Sequence, residues 1–248
     1  MNGVVRSAAA ATTFLTRVPL GLVVRTEAAD VARGVWLFPL VGAAVGGASG
    51  LAADVTAEKL PELAAGAIAI GVAALLTGAM HLDGLADAAD ALGGRTRERA
   101  LEIMRDPAIG AFGVTAVVSV LLLDATLFGA LAASGDAALA AVAAGAAGRA
   151  ALLLPALALP YARSQHGQGS VVEGIGAPLV LAAFVVAMLL VLPERGAGLA
   201  GLGAAVGVAL VLTAFFRHQF GGVTGDLLGA TAKLAETSAL ALVVVLAH

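Results

Sequence analysis

Ile109-Gly-Ala-Phe-Gly-Val-Thr-Ala-Val-Val-Ser-Val-Leu-Leu-Leu-Asp-Ala-Thr-Leu-Phe-Gly-Ala-Leu-Ala-Ala133 is a run of 25 residues with a single charge, Asp124. A bilayer-spanning helix needs about 20 mostly apolar residues, so this run is long enough to cross. Six further stretches read the same way, roughly Gly34–Val55, Leu63–Met80, Ala137–Leu159, Ala177–Leu192, Leu199–Phe216 and Leu227–Ala247. No alternating strand pattern competes with them, and no internal repeat is evident. Composition agrees: 60% of the 248 residues are hydrophobic, 12% are charged and the mean hydropathy is +0.99. A soluble domain of this length would need far more polar surface. The predicted fold is therefore all-α, a polytopic integral membrane bundle of about seven transmembrane helices plus short cytoplasmic or interfacial helices, in one domain over residues 1–248. The 32 glycines suit spans whose backbones approach closely, and such small-residue faces also allow association into a homo-oligomer.

Charge placement predicts the topology. With a cytoplasmic N-terminus, the inner segments hold Arg6, Arg17, Arg25, Arg33, Arg95, Arg97, Arg99, Arg105, Arg163 and Arg217. The outer loops hold only Lys59 and Arg195, while Arg149 and Lys233 fall inside spans. This asymmetry predicts a multi-pass protein of the cell membrane, in contact with the lipid bilayer, with its N-terminus and active site cytoplasmic. Val4 to Val18 mixes Arg6, Ser7, Thr12, Thr13, Thr16 and Arg17 with apolar residues. Residues 1–33 are thus expected to form a retained interfacial segment rather than a cleaved signal peptide. Cysteine is absent, which excludes disulfides and thiolate metal sites. A net charge of −3 gives no reason to expect a nucleic-acid partner. The outer connections Ser134-Gly-Asp136 and Pro193-Glu-Arg-Gly196 are short, whereas the inner segments 81–108, 160–176 and 217–226 carry every polar motif.

The first of these motifs is His81-Leu-Asp-Gly-Leu-Ala-Asp-Ala-Ala-Asp90. On a helix Asp83, Asp87 and Asp90 fall within an arc of about 60° and project from one face. Leu85, Ala88 and Leu92 occupy the opposite face. A carboxylate cluster repels itself unless a cation sits among its members, and oxygen-only donors favour Mg²⁺ or Mn²⁺ over zinc or copper. The alternative is a solvated acidic face at the end of a span. A basic amphipathic helix follows, from about Thr96 to Arg105, stopped by Asp106-Pro107 and suited to anchoring at the interface.

Gly221-Gly-Val-Thr-Gly-Asp226 runs straight into the last span. Its glycines let backbone N–H groups approach a phosphate, with Thr224 and Gly225 at the helix start and Asp226 as a fourth carboxylate. The competing reading is a turn with Thr224 as helix cap and Asp226 complementing the helix dipole. Arg17, Arg33, Arg105 and Arg149 are the candidates for holding phosphate oxygens. Arg17 and Arg33 would also serve as topology anchors. Arg149 lies inside a span, where a charge marks a site or an ion pair. Lys233 and Glu236, at i and i+3, can neutralise one another. Asp124 has no evident partner, and His81 reads as a hydrogen-bonded structural histidine. His166, His218 and His248 show no metal-ligand spacing, and the polar run Ser164–Ser170 has no assigned role.

The acidic motif, Ile103-Met-Arg-Asp106 with Gly110, Gly148-Arg149, Tyr161-Ala-Arg163 and Gly222-Val-Thr-Gly-Asp-Leu-Leu-Gly-Ala230 together resemble the cobalamin synthase family, the adenosylcobinamide-GDP ribazoletransferases. Arg17-Val-Pro19, Phe38-Pro39 and Gly42 resemble it too, and the matches follow in order over nearly the whole chain. The resemblance implies a Mg²⁺-dependent membrane enzyme of the last assembly stage of vitamin B12. Such an enzyme joins adenosylcobinamide-GDP to α-ribazole or its 5′-phosphate and releases GMP. By analogy with CDP-alcohol phosphotransferases, Asp83, Asp87 and Asp226 are expected to hold Mg²⁺, Asp90 to act as base, and Arg105 and Arg149 to stabilise the diphosphate. One departure is Lys233, which stands where the resemblance implies Glu and leaves Glu236 as the acidic residue of the last span. Two other functions stay open: a membrane phosphotransferase acting on another diphosphate, or a secondary transporter. A transporter would keep its site near the bilayer midplane at broken helices, whereas here the motifs gather at span ends.

Overall fold

The computed structural model describes residues 3–163 and 168–247, so His248 and residues 164–167 of the polar run, with His166, lie outside the described residues. The described residues form twelve α-helices: α1 (Gly3–Leu15), α2 (Ala28–Gly34), α3 (Phe38–Ala57), α4 (Glu62–Thr77), α5 (Met80–Asp90), α6 (Arg97–Ile103), α7 (Ala111–Ser134), α8 (Ala137–Ala151), α9 (Leu153–Ala158), α10 (Ala177–Val191), α11 (Arg195–Gln219) and α12 (Gly225–Ala247). Among the described residues no strand forms.

Among the described residues, five helical stretches are long and apolar enough to cross a membrane: Ala28–Ala57, Ala111–Ser134, Ala137–Ala158, Ala177–Gln219 and Gly225–Leu246. A sixth arises if α4 and α5 count as one span, bent by 93°. The protein is thus a polytopic helical membrane protein, and it departs from the expected spans at the fourth helix, while the stretch Ala177–Gln219 keeps its two segments. That stretch is a near-continuous helical run of 43 residues by length and composition. A short turn at Leu192–Glu194 and a positive φ at Arg195 interrupt it, and α10 and α11 both pack on α8, so the run folds back on itself. The fourth helix, in turn, ends early. Gly78 and Ala79 both take left-handed φ, 63° and 57°, which stops α4 and redirects the chain into α5. The Arg17 backbone N–H donates to the Leu76 carbonyl at 2.7 Å, and its side chain lies against Gly78 where a Cβ would collide with it.

α8 is the axis of the bundle. Its alanines and glycines are almost all buried, and it packs against α3, α10, α11 and α12. Gly42, Gly46 and Gly50 on α3 recur every fourth residue and meet the carbonyls of Gly145, Ala141 and Ala137 on α8. No Cβ fits at those contacts, which is the small-residue packing that lets two membrane helices touch backbone to backbone. Asp54 of α3 accepts the N–H groups of Ala137 and Ala138 at 3.1 and 3.0 Å, capping the start of α8. Leu122, Leu181, Leu189 and Val211 are exposed on the outer faces of α7, α10 and α11, as lipid-facing side chains would be.

Inside this apolar frame four charges form a closed set. Lys233 Nζ lies 2.5 Å from Asp124 Oδ2 and 3.6 Å from Glu236 Oε1, and Glu236 pairs with Arg149. Thr237 Oγ1 donates to Asp124 Oδ1 at 2.8 Å. The set joins α7, α8 and α12 and carries no net charge. It supplies the partner that the sequence did not reveal for Asp124, and Lys233 is neutralised by Asp124 as well as by Glu236. The cavity beside it is about 30 Å³, room for a water or two rather than for a substrate.

Breaking one member leaves a buried partner uncompensated. Asp124→Ala should therefore cost about 3–5 kcal/mol of stability in detergent. Asp124→Leu combined with Lys233→Met should recover most of it, as read by unfolding midpoints. Equal losses in the single and double variants would remove the network from its structural role.

Candidate functional site

The site forms where the ends of α1, α5 and α12 meet. Gly84 brings α5 onto α12: a Cβ there would lie 2.6 Å from the Asp226 carbonyl oxygen, so a larger residue would push the acidic helix away. One turn further on, Gly229 faces the Met80 carbonyl. The Gly-rich segment is fixed from the other side by the chain that follows α9. Ala162 N–H donates to the Val223 carbonyl at 2.8 Å, and Val223 N–H donates to the Pro160 carbonyl at 2.9 Å. These bonds make an isolated parallel bridge between Tyr161 and Val223. Gly222 has no room for a Cβ against Pro160 and Ala162, so this junction requires glycine.

The resulting cavity of about 240 Å³ has a polar wall of His81, Asp83, Tyr161, Arg163, Gly225 and Asp226 and an apolar wall that includes Phe14, Leu15, Met80 and Leu152. That is below the roughly 300–1,000 Å³ usual for small-molecule pockets. It suits a reacting group better than a whole large substrate. Arg163 Nη2 donates to Asp226 Oδ2 at 2.7 Å. Thr224 caps α12 by accepting the Leu227 N–H at 3.3 Å, and its hydroxyl lies 3.3 Å from the same Asp226 oxygen. Asp83 is exposed to the cavity. Asp87, one turn beyond Asp83 on α5, is half-buried and stands just outside the cavity wall, with the negative charges of Asp226, Asp83 and Asp90 acting on it and Arg163 opposing them. This is a crowded anionic patch with one cation already drawn in.

Several residues expected in the site are elsewhere. Asp90 is outside the cavity wall, and its two oxygens accept the N–H groups of Gly110 and Gly113 at 2.7 and 2.8 Å, capping α7. A base must face the acceptor, and this carboxylate instead satisfies the orphan donors of a helix start. Arg33 donates to Asp30 at 2.8 Å, three residues earlier on α2, and both lie against α1 rather than the cavity. Arg149 pairs with Glu236 in the buried network, which is the ion-pair outcome for a charge within a span. Arg17 braces the bend at Gly78 one turn beyond Phe14 and Leu15 of the cavity wall. Arg105 is exposed after α6 and does not line the cavity. Thr224 takes the capping role, and Gly225 and Asp226 line the cavity beside it. His81 is buried and lines both this cavity and the small one beside the charge network.

Among the described residues no three His, Asp or Glu side chains are set as a closed metal cage. Mg²⁺ does not require one, since it keeps several waters and takes one or two carboxylates plus substrate phosphates. Asp226 in the cavity wall and Asp87, half-buried one turn beyond Asp83, are the oxygen donors available to that mode. Tyr161 and Arg163 are polar cavity residues to which the sequence assigned no role. Their motif was visible, but its bridge to Val223, about 60 residues on, was not.

A polar cavity at the meeting of helix ends, in a bundle whose buried charges neutralise one another, defines the class: an integral membrane protein with a polar cavity at one end of its spans. Comparison with known proteins narrows this. Residues 7–245 match the cobalamin-5-phosphate synthase family. The adenosylcobinamide-GDP ribazoletransferase of Azorhizobium caulinodans is 39% identical over 243 residues, 93% of this chain and 92% of that protein. That of Ralstonia nicotianae is 40% identical over 234 residues, 90% of this chain and 88% of its own. That of Pseudomonas aeruginosa strain PAO1 is 38% identical over 250 residues, covering 97% and 98%. The chain belongs to the cobalamin-5-phosphate synthase family. No solved structure matches it.

Proposed function

We propose that the protein transfers the phosphocobinamide group of adenosylcobinamide-GDP to α-ribazole or its 5′-phosphate, giving adenosylcobalamin or its 5′-phosphate and GMP. The observation that carries this reading is the meeting of Asp83 on the α5 acidic face with Gly225-Asp226 in one cavity, in a chain that matches this family over residues 7–245. The ribazole 3′-hydroxyl oxygen forms a bond to the cobinamide-linked phosphorus, the bond from that phosphorus to the GMP oxygen breaks, and the hydroxyl proton leaves to a base. Substrate and leaving group are both anionic, so charge neutralisation and positioning dominate the catalytic need.

Asp87 and Asp226 would hold Mg²⁺, with water and substrate phosphates completing its shell. Bound there, the ion would neutralise charge on the diphosphate. Asp83 is exposed to the cavity and free of the capping duty that holds Asp90, so it takes the hydroxyl proton. Gly225 leaves the start of α12 open to a phosphate, while Thr224 keeps that start in place. The apolar wall from α1 limits water at the reacting group. Basic residues concentrated on the segments at this end support a cytoplasmic active site and N-terminus.

Purified protein in detergent is expected to release GMP from adenosylcobinamide-GDP and α-ribazole, and no release would refute the reaction. Asp83→Asn should lower kcat roughly 10²- to 10⁴-fold with KM for the GDP substrate retained, as for loss of a general base. Asp87→Asn and Asp226→Asn should instead raise the Mg²⁺ needed for half-maximal rate by at least roughly tenfold. A shifted Mg²⁺ requirement in Asp83→Asn alone would reverse those roles. Because the chain has no cysteine, single cysteines report topology cleanly. A membrane-impermeant maleimide applied to intact cells should label Lys59→Cys and spare Arg105→Cys, and the opposite pattern would invert the orientation.

A further inference from the structure

We infer that Arg163 is the phosphate-binding arginine of the cavity, holding Asp226 with one donor and receiving a diphosphate oxygen of the substrate with the remainder of its guanidinium. This rests on the reading of the cavity as a diphosphate site, but its observations are independent of the acidic motif. The side chain is 14% exposed, and the contact it makes is through Nη2 to Asp226 Oδ2 at 2.7 Å. Its Nε–H is buried and has no hydrogen-bond partner among the described residues. Nε and Nη2 lie on the same edge of the planar fork, the edge that matches a carboxylate or phosphate with two parallel bonds. A single Asp226 oxygen on Nη2 leaves half of that edge unused. A buried donor left without an acceptor is unfavourable, and a phosphate oxygen is the acceptor this edge fits best.

The backbone explains why this arginine and no other is available. Pro160 and Ala162 are hydrogen-bonded to Val223, so one bridged unit delivers Arg163 and Asp226 to the same cavity. Arg33 is committed to Asp30 and Arg149 to Glu236. Among the described residues, Arg163 is the one arginine in the cavity wall. It also balances Asp226, so that an anionic substrate meets a wall that is not uniformly negative.

The test compares the full-length protein in detergent with Arg163→Met and Arg163→Lys, using inorganic pyrophosphate as the binding probe and adenosylcobinamide-GDP as the substrate. Arg163→Met is expected to weaken pyrophosphate binding and raise KM for adenosylcobinamide-GDP roughly 10- to 100-fold, the loss expected for a charge-assisted contact. KM for α-ribazole should not move. Arg163→Lys keeps the charge opposite Asp226 but not the fork, so it should fold as the native protein does and fall between the two in affinity. Native pyrophosphate affinity in Arg163→Lys and Arg163→Met at unchanged unfolding midpoints would overturn the inference. So would a destabilised Arg163→Met whose fold Arg163→Lys restores while pyrophosphate affinity is native throughout, since the pair would then be structural only. If the native protein binds pyrophosphate through Arg163 yet releases no GMP, the reaction assignment fails and the role of Arg163 stands.

Discussion

Lys233 and Glu236 sit on a helix buried in an apolar bundle, and neither charge can be left without a partner there. Asp124 on α7 and Arg149 on α8 supply the partners, which fixes α12 against both helices at one depth. The position of its first turn follows. With α12 held, Asp226 falls beside α5, and Gly84 permits the contact because it has no side chain to keep the two helices apart. The acidic face and the Gly-rich segment thus meet as a consequence of a neutralised charge set one to three turns deeper in the bundle. These charges bond to one another around a cavity too small for a substrate.

Packing and chemistry divide between residue types. Close approach is the work of glycine and alanine, at Gly42, Gly46 and Gly50 against α8 and at Gly222 against Pro160. Helix starts are closed by aspartates from neighbouring spans, Asp54 for α8 and Asp90 for α7. These caps keep orphan N–H groups out of the lipid, where each would be costly. The proposed chemistry draws on a small set: Asp83, Asp87 and Asp226, balanced by Arg163. Their position toward the helix ends, rather than among the buried charges, would let a large polar substrate present its diphosphate without entering the bilayer.

Much of this was legible from the sequence, and the reasons for the rest are specific. Long apolar runs announce spans, and in-phase aspartates announce a face, because both are local properties of a helix. The bend was hidden because Gly78-Ala79 sits inside an apolar run and an alanine at φ 57° has no sequence signature. Asp90 shares the phase of Asp83 and Asp87, and only the fold shows that its oxygens are taken by Gly110 and Gly113. Arg149 read as a site or an ion pair, and the choice depended on Glu236, far along the chain. The role of Arg163 was hidden for the same reason, its partner Asp226 lying 63 residues on and the bridge to Val223 that brings them together being visible only in the fold. Long-range pairings decide roles that local pattern leaves open.

The claim that α5 and the start of α12 form the reaction site is tested most directly by locating a metal. Mn²⁺ can replace Mg²⁺ as an oxygen-bound divalent ion, and its anomalous scattering in crystals grown with adenosylcobinamide-GDP gives its position without reference to activity. The expected result is a peak between Asp87 and Asp226, bordered by the diphosphate. A peak at the Arg149–Glu236 cavity, or a diphosphate seated away from α5, would contradict the site.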